Sequence, residues 1–254
     1  MGAALADILA ELDRMLEPDL FQDYCPNGLQ VPGREEVETV ATGVSAQLEL
    51  FERAASEHAD LLLVHHGAFW DAEPRALDEA RKRRLKALFD ADISLVAYHL
   101  PLDAHHELGN NALIGRALEA EILEPFAHHH GRTIGFLAHL LGDGIPAPEL
   151  FARIHELTGR EPLVFDAGPP LVRRVGIVSG GGADYLGEAI DAGADAFLTG
   201  EPVERAMAQA REAGVHFIAA GHYATETFGV RALGDHLAQR FELRHVFLDV
   251  PNPV

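Results

Sequence analysis

Two stretches of this chain carry the same pattern in the same order, which narrows the folds open to it. In the first, TGVS (Thr42 to Ser45) precedes a helical segment and then ADLLLVHHG (Ala59 to Gly67). In the second, GIVS (Gly176 to Ser179) precedes a helical segment and then ADAFLTGE (Ala194 to Glu201). Each continues into a further helix and a further apolar run. The first of these runs ends in His99…Asp103 after SLVAY, and the second in His222…Glu226 after FIAAG. Short apolar runs alternating with amphipathic stretches describe a parallel α/β architecture. The repetition predicts two similar α/β lobes with mainly parallel sheets, over 1–125 and 126–254, with some strand exchange and a metal site between them. Strands are expected at Val37–Val44, Leu61–Val64, Ile93–Tyr98, Ala196–Thr199 and Val215–Ala219. Leu5, Ile8, Leu9, Leu12 and Leu16 form one face of an N-terminal helix. The stretch from Glu124 to Pro170 is rich in proline and reads as less regular, with strands expected near Arg132–Leu140 and Leu163–Asp166.

The 254 residues suffice for one large or two small domains, and no apolar run is long enough for a membrane span. With no basic leader at the N-terminus, the expectation is cytoplasmic. A net charge of −20 disfavours nucleic acid as a partner. The basic run Arg81 to Lys86 reads as a solvated helix face. Cys25, the single cysteine, excludes an internal disulfide and a thiolate cluster. It reads as a small core or loop residue.

Histidine is the residue in excess, at 15. His65 and His66 follow LLLV, His99 and Asp103 follow LVA, and His222 and Glu226 follow FIAA. All therefore lie at the strand ends where open α/β sheets bind ligands. Imidazole mixed with carboxylate suits zinc, iron, manganese or nickel. Adjacent histidines on an extended segment point apart, so either a turn at Gly67 brings them together or each serves its own ion. One carboxylate bridging two divalent ions would leave open positions for water or substrate. Singly, each of these residues is as readily satisfied by hydrogen bonds. His105, His106 and the His128–His130 cluster read as surface, the latter in an exposed loop.

These residues, with NGLQV (Asn27 to Val31), LLLVHHGAFW (Leu61 to Trp70), AYHLPLDAH, GNN (Gly109 to Asn111), TGE and GHYATE, give the chain its resemblance to the Nif-three-like dinuclear metal-centre family. That family is also labelled as type-two GTP cyclohydrolase homologues. The resemblance implies metal ligands at His65, His66, Asp103, His222 and Glu226, with Glu226 as the bridge. It also implies two α/β domains and a homohexamer. The function expected is metal-dependent hydrolysis of a small molecule such as a nucleotide, cyclohydrolase-like or phosphoesterase-like. His99 is the candidate acid/base residue. Glu201 stands in the place of His66 in the second half, either beside the site or as a helix N-terminal carboxylate. The alternative is a metal-binding, metal-delivery or partner-binding regulatory protein without turnover. Phe69 and Trp70 line a pocket or fill core, Asn110 and Asn111 cap the next helix, and Asn27-Gly28 makes a turn.

Overall fold

A computed structural model describes residues 2–254. It divides into two compact units. One comprises the chain up to Leu102 together with Gly229–Val250, and the other Asp103–Phe228 with Pro251–Val254. The sequence places the boundary after residue 125 and expects some strand exchange between the lobes. In the structure the chain returns to the first unit near its end, because the strand Arg244–Phe247 pairs in parallel with Thr39–Ser45.

The first unit is built on a five-stranded sheet. Its order is Arg244–Phe247, Thr39–Ser45, Leu61–His66, Ser94–Ala97 and Gly28–Val31. The first four strands are mutually parallel and Gly28–Val31 runs antiparallel at the edge. The central strands are mainly apolar because both faces are covered. Leu62, Val64 and Leu95 pack with Phe51 of the helix Leu48–Ser56 and Leu88 of Glu79–Ala91. The helix Glu79–Ala91 starts at Asp78, whose carboxylate accepts from Arg81 N at 2.7 Å, and stops at Asp92, which adopts the left-handed conformation. The N-terminal helix Leu5–Leu16 buries Leu5, Ile8, Leu12 and Leu16 as its periodicity predicts.

The second unit carries six strands in the order Leu163–Phe165, His216–Ala219, Ala196–Thr199, Arg174–Val178, Arg132–Leu140 and Ala120–His129. The three from His216–Ala219 to Arg174–Val178 are parallel, and Leu163–Phe165 is an antiparallel edge. The core joins Val175, Ile177, Leu198 and Ile218 to Leu150 and Ile154 of the helix Ala147–Thr158.

Three features depart from the sequence reading. The less regular stretch holds the expected strand Arg132–Leu140, but also its antiparallel partner Ala120–His129 and the helix Ala147–Thr158, which the sequence does not show. His128 and His129 therefore lie on a strand, where His128 Nδ1 meets Glu188 Oε1 at 2.5 Å and His129 Nδ1 meets the Tyr185 hydroxyl at 3.1 Å. Asn27-Gly28 leads directly into the edge strand Gly28–Val31.

The two sheets share one segment: Thr39–Ser45, Leu61–His66 and Ser94–Ala97 in the first, and Arg174–Val178, Ala196–Thr199 and His216–Ala219 in the second, are three parallel strands followed by an antiparallel edge. The equivalence extends to individual bonds. Asp60 Oδ2 accepts from Glu38 N and Thr39 N at 2.9 and 3.0 Å, and Asp195 Oδ2 accepts from Arg173 N and Arg174 N at 2.8 and 3.0 Å. In each case one carboxylate ties the entrance of one parallel strand to the next. The registers Val40↔Leu61 and Val175↔Ala196 set Gly180, not Ser179, in the place of Ser45, and Glu201 in the place of His66. The two serines of the repeated motif are thus offset by one residue. The strands bearing His99…Asp103 and His222…Glu226 at their ends, Ser94–Ala97 and His216–Ala219, occupy equivalent positions in the two sheets.

Candidate metal centre

In the first unit three imidazoles cluster. His65 and His66 are the last two residues of the strand Leu61–His66, rather than lying beyond it. Their ring centroids are nevertheless only 4.8 Å apart, and His99 lies 5.0 Å from His65 and 5.5 Å from His66. One ring nitrogen from each lies within 4.8 Å of the other two. His65 is fully buried. Its Nδ1 donates to the Tyr98 carbonyl at 3.1 Å, which assigns the lone pair to Nε2. His66 Nδ1 meets the Ser45 hydroxyl at 3.1 Å.

His99 is held most firmly. Its Nδ1 lies 2.6 Å from Asp23 Oδ1, and its backbone N–H donates to Asn27 Oδ1 at 2.8 Å. Asp23 also accepts from Asn27 Nδ2, Leu100 N and Tyr24 N at 2.7–3.0 Å. Burial pushes the Asp23 carboxyl up, but the bond to His99 and its charge outweigh this and hold it below the usual carboxylate range. Gln30, from the same NGLQ segment, accepts from Ala68 N at 2.7 Å and fixes the turn after the histidine pair. Burial pushes the Cys25 thiol up to about 12, which makes it inert as a nucleophile.

In the second unit, Ser179 and Gly180 follow the strand Arg174–Val178 and organise the remaining candidates. Asp103 is buried. Its Oδ1 accepts from Asn110 Nδ2 at 2.8 Å and from the Ser179 hydroxyl at 3.2 Å. Asn111 accepts from Ser179 N at 2.7 Å and donates to the Ile134 carbonyl at 2.7 Å and the Asp103 carbonyl at 3.3 Å. Neither asparagine caps the helix Asn110–Ala117; both brace Asp103 instead. Glu226 is buried and its Oε1 lies 3.3 Å from His222 Nε2, while His222 Nδ1 is hydrogen-bonded to Glu201 Oε1. Glu201 precedes the helix Ala206–Ala213 by five residues, so it serves His222 rather than a helix N-terminus. Burial pulls the His222 imidazole down, but the bonds to Glu226 and Glu201 outweigh it and raise the group to about 9. Gly180 has φ +59°, and a Cβ there would sit 2.1 Å from Glu226 Oε1 and 3.0 Å from His222 Nε2.

Each strand-end pair thus arrives with its own support, and the sequence shows the pairs but not the supports. Asp23, Asn27, Ser45, Ser179 and Gly180 carry no metal-site spacing. In the basic run Arg81 to Lys86, Arg81 pairs with Glu73, Lys82 with Glu79 and Lys86 with Asp90. His105 Nδ1 accepts from Glu107 N and Leu108 N, as a turn residue does.

A model of the Duf34/NIF3 family (NGG1p interacting factor 3) matches residues 3–253. The chain belongs to this family. Among its NIF3 relatives, a Pseudomonas aeruginosa protein named GTP cyclohydrolase 1 type 2 homolog is 48% identical over all of both chains. One of the same name from Vibrio cholerae is 42% identical over 96% of this chain and 97% of its own. Among solved structures, the protein ybgI, described as of unknown function, superposes with a TM-score of 0.93 at 39% identity, covering 99% of this chain and 100% of its own. TTHA1606 from Thermus thermophilus does so at 0.91 and 39%, with the same coverage. The mixed α/β fold with mainly parallel sheets is therefore the NIF3 fold. Among the described residues, no helix is long and apolar enough to cross a membrane.

Proposed function

We propose that this NIF3 protein is a dinuclear metal-dependent hydrolase of small molecules. In this reading His65, His66, Asp103, His222 and Glu226 would hold two divalent ions, drawn from zinc, iron, manganese and nickel. The observation that carries the reading is the state of the imidazoles. Nδ1 is committed to the Tyr98 carbonyl in His65 and to the Glu201 carboxylate in His222, which turns Nε2 into the donor atom a divalent ion requires. The donor set, nitrogen and oxygen without sulfur, fits such ions.

When bound, two such ions acidify water and polarise the bond under attack. The chain's own residues supply the rest. Asp23 keeps a proton on His99 Nδ1, so His99 accepts a proton at Nε2 and returns it to the leaving group. Glu201 fixes the His222 ring, and Asn110 with Ser179 fixes the Asp103 carboxylate. A nucleotide, a phosphoester or a cyclic amide suits such a centre, and the name borne by the curated relatives points to the first. A homohexamer is part of the proposal.

The test is elemental analysis after reconstitution with zinc, iron or manganese, beside turnover of nucleotides and phosphoesters. About two ions per chain are expected, with hydrolysis abolished by Asp103→Ala and lowered roughly 100-fold or more by His99→Ala. A content below about half an ion per chain would overturn the dinuclear centre. Full metal content without turnover of any substrate would favour the metal-binding or regulatory alternative. Sedimentation velocity tests the hexamer.

A further inference from the structure

The first unit sets aromatic rings against its histidine cluster. The Trp70 ring centroid lies 5.2 Å from that of His99, edge to face, and 5.7 Å from that of His66. The indole is fixed, since its N–H donates to the Gly67 carbonyl at 3.0 Å. Tyr24 approaches His99 from the preceding loop at 6.3 Å, also edge-on, yet is 53% exposed. Asp71 N donates to the Tyr24 carbonyl at 3.0 Å, which latches the two loops and fixes Tyr24 relative to Trp70. Phe69, next to Trp70, is 38% exposed.

Core packing does not account for this arrangement. The sheet of this unit buries its apolar side chains on its own helices, and an exposed aromatic ring beside a cluster of imidazoles is apolar surface left at a polar site. Rings held rigidly at such a place suit a flat π-face, because stacking needs a pre-set plane and loses little conformational freedom on binding. The local charge agrees. Asp23 is bonded to His99 and Asp71 lies at the latch, while Arg81, Lys82 and Lys86 of the basic run are paired with Glu73, Glu79 and Asp90. A polyanion has little to gain here in a chain of net charge −20.

We infer that Trp70 and Tyr24 form a recognition rim for a planar, uncharged nitrogen heterocycle, which enters ring-first beside His99. This rests on the hydrolase reading for its purpose, since it names the class of substrate that reading leaves open. It does not rest on that reading for its test, because binding is measured without turnover.

Trp70 is the only tryptophan of the chain, so its fluorescence reports on the rim. The metal-free and zinc-loaded proteins are titrated with guanosine, adenosine, ribose 5-phosphate and inorganic tripolyphosphate. The two nucleosides are expected to quench saturably in both forms, with little dependence on salt, and in the metal-free form the two phosphates are not. Tyr24→Ala is expected to weaken nucleoside binding about tenfold. By equilibrium dialysis, Trp70→Leu is expected to weaken it at least as much, and Trp70→Phe, which keeps a ring, to stay within about threefold. Saturable binding of tripolyphosphate without a response to nucleosides overturns the inference. So does nucleoside binding that Tyr24→Ala and Trp70→Leu leave unchanged, or no binding of either class. Failure of the metal content with intact nucleoside binding would instead overturn the hydrolase reading alone.

Discussion

His99 Nδ1 lies 2.6 Å from Asp23 Oδ1, across 76 residues of sequence. Asp23 is the hub of its loop, because it also holds Tyr24 N, Asn27 and Leu100 N. Asp23→Ala is expected to cost about 2–4 kcal/mol in urea unfolding, since it leaves buried donors without an acceptor. Asp23→Asn should cost less but disturb the His99 tautomer. Because its pKa is held down in the folded state, Asp23 contributes stability above the ordinary carboxylate range, lost as pH falls through its lowered value. A wild-type minus Asp23→Ala difference that does not shrink on acidification would contradict this.

His222 gives the opposite dependence. Its pKa is raised from 6.5 to about 9, so in the metal-free protein its contribution is complete below the ordinary imidazole value and fades as pH rises through about 9. A divalent ion must displace the proton, so zinc affinity climbs over the same interval. Chelator competition and urea unfolding of wild type and His222→Gln, compared across that window, check both signs. A flat stability difference would refute the assignment.

Gly180→Ala tests the crowding at Glu226. The backbone there is left-handed and the added Cβ would lie 2.1 Å from Glu226 Oε1. Gly142 is also left-handed, at φ +67°, but a Cβ there meets nothing within 4 Å. Gly142→Ala should therefore cost about 1 kcal/mol from backbone conformation alone. Gly180→Ala should cost more and should lower metal affinity about tenfold or more, since it displaces a second residue as well. Equal effects of the two substitutions on metal binding would rule out the steric account.

Tyr98→Phe separates stability from the metal centre. The Tyr98 hydroxyl donates to Asp13 Oδ1 at 2.5 Å, while its carbonyl holds His65. The substitution removes only the hydroxyl, so thermal unfolding should register a loss of about 1–3 kcal/mol with metal content unchanged. Loss of metal in this variant would show that the N-terminal helix, through Asp13, also orients the histidines.

The parallel strands and the strand-end residues are legible in the sequence because they are local signals: apolar runs, and pairs four residues apart. Ala120–His129 is not, because it is the edge strand of its sheet, where Pro125 and adjacent exposed residues are tolerated and resemble a loop. The supports of the site are hidden for a different reason. Asp23 with His99, and Ser179 with Asp103, are each joined over 76 residues, and their residue types are as common in turns as in sites. Glu201 becomes visible only through the repeat, which sets it opposite His66. The same repeat misleads by one residue at the serines, since the sequence aligns Ser45 with Ser179 while strand register aligns it with Gly180.

The pairing of Arg244–Phe247 with Thr39–Ser45 has a consequence for how the chain is made. During synthesis the ribosome delivers every strand of the second unit's sheet before it delivers the last strand of the first unit's. The six-stranded sheet can therefore assemble on the nascent chain while Thr39–Ser45 still shows a bare edge, an invitation to unwanted partners. A ribosome stalled before Arg244 would release a chain with one half finished and the other open at its seam. Such chains should be the species that chaperones and proteases meet first.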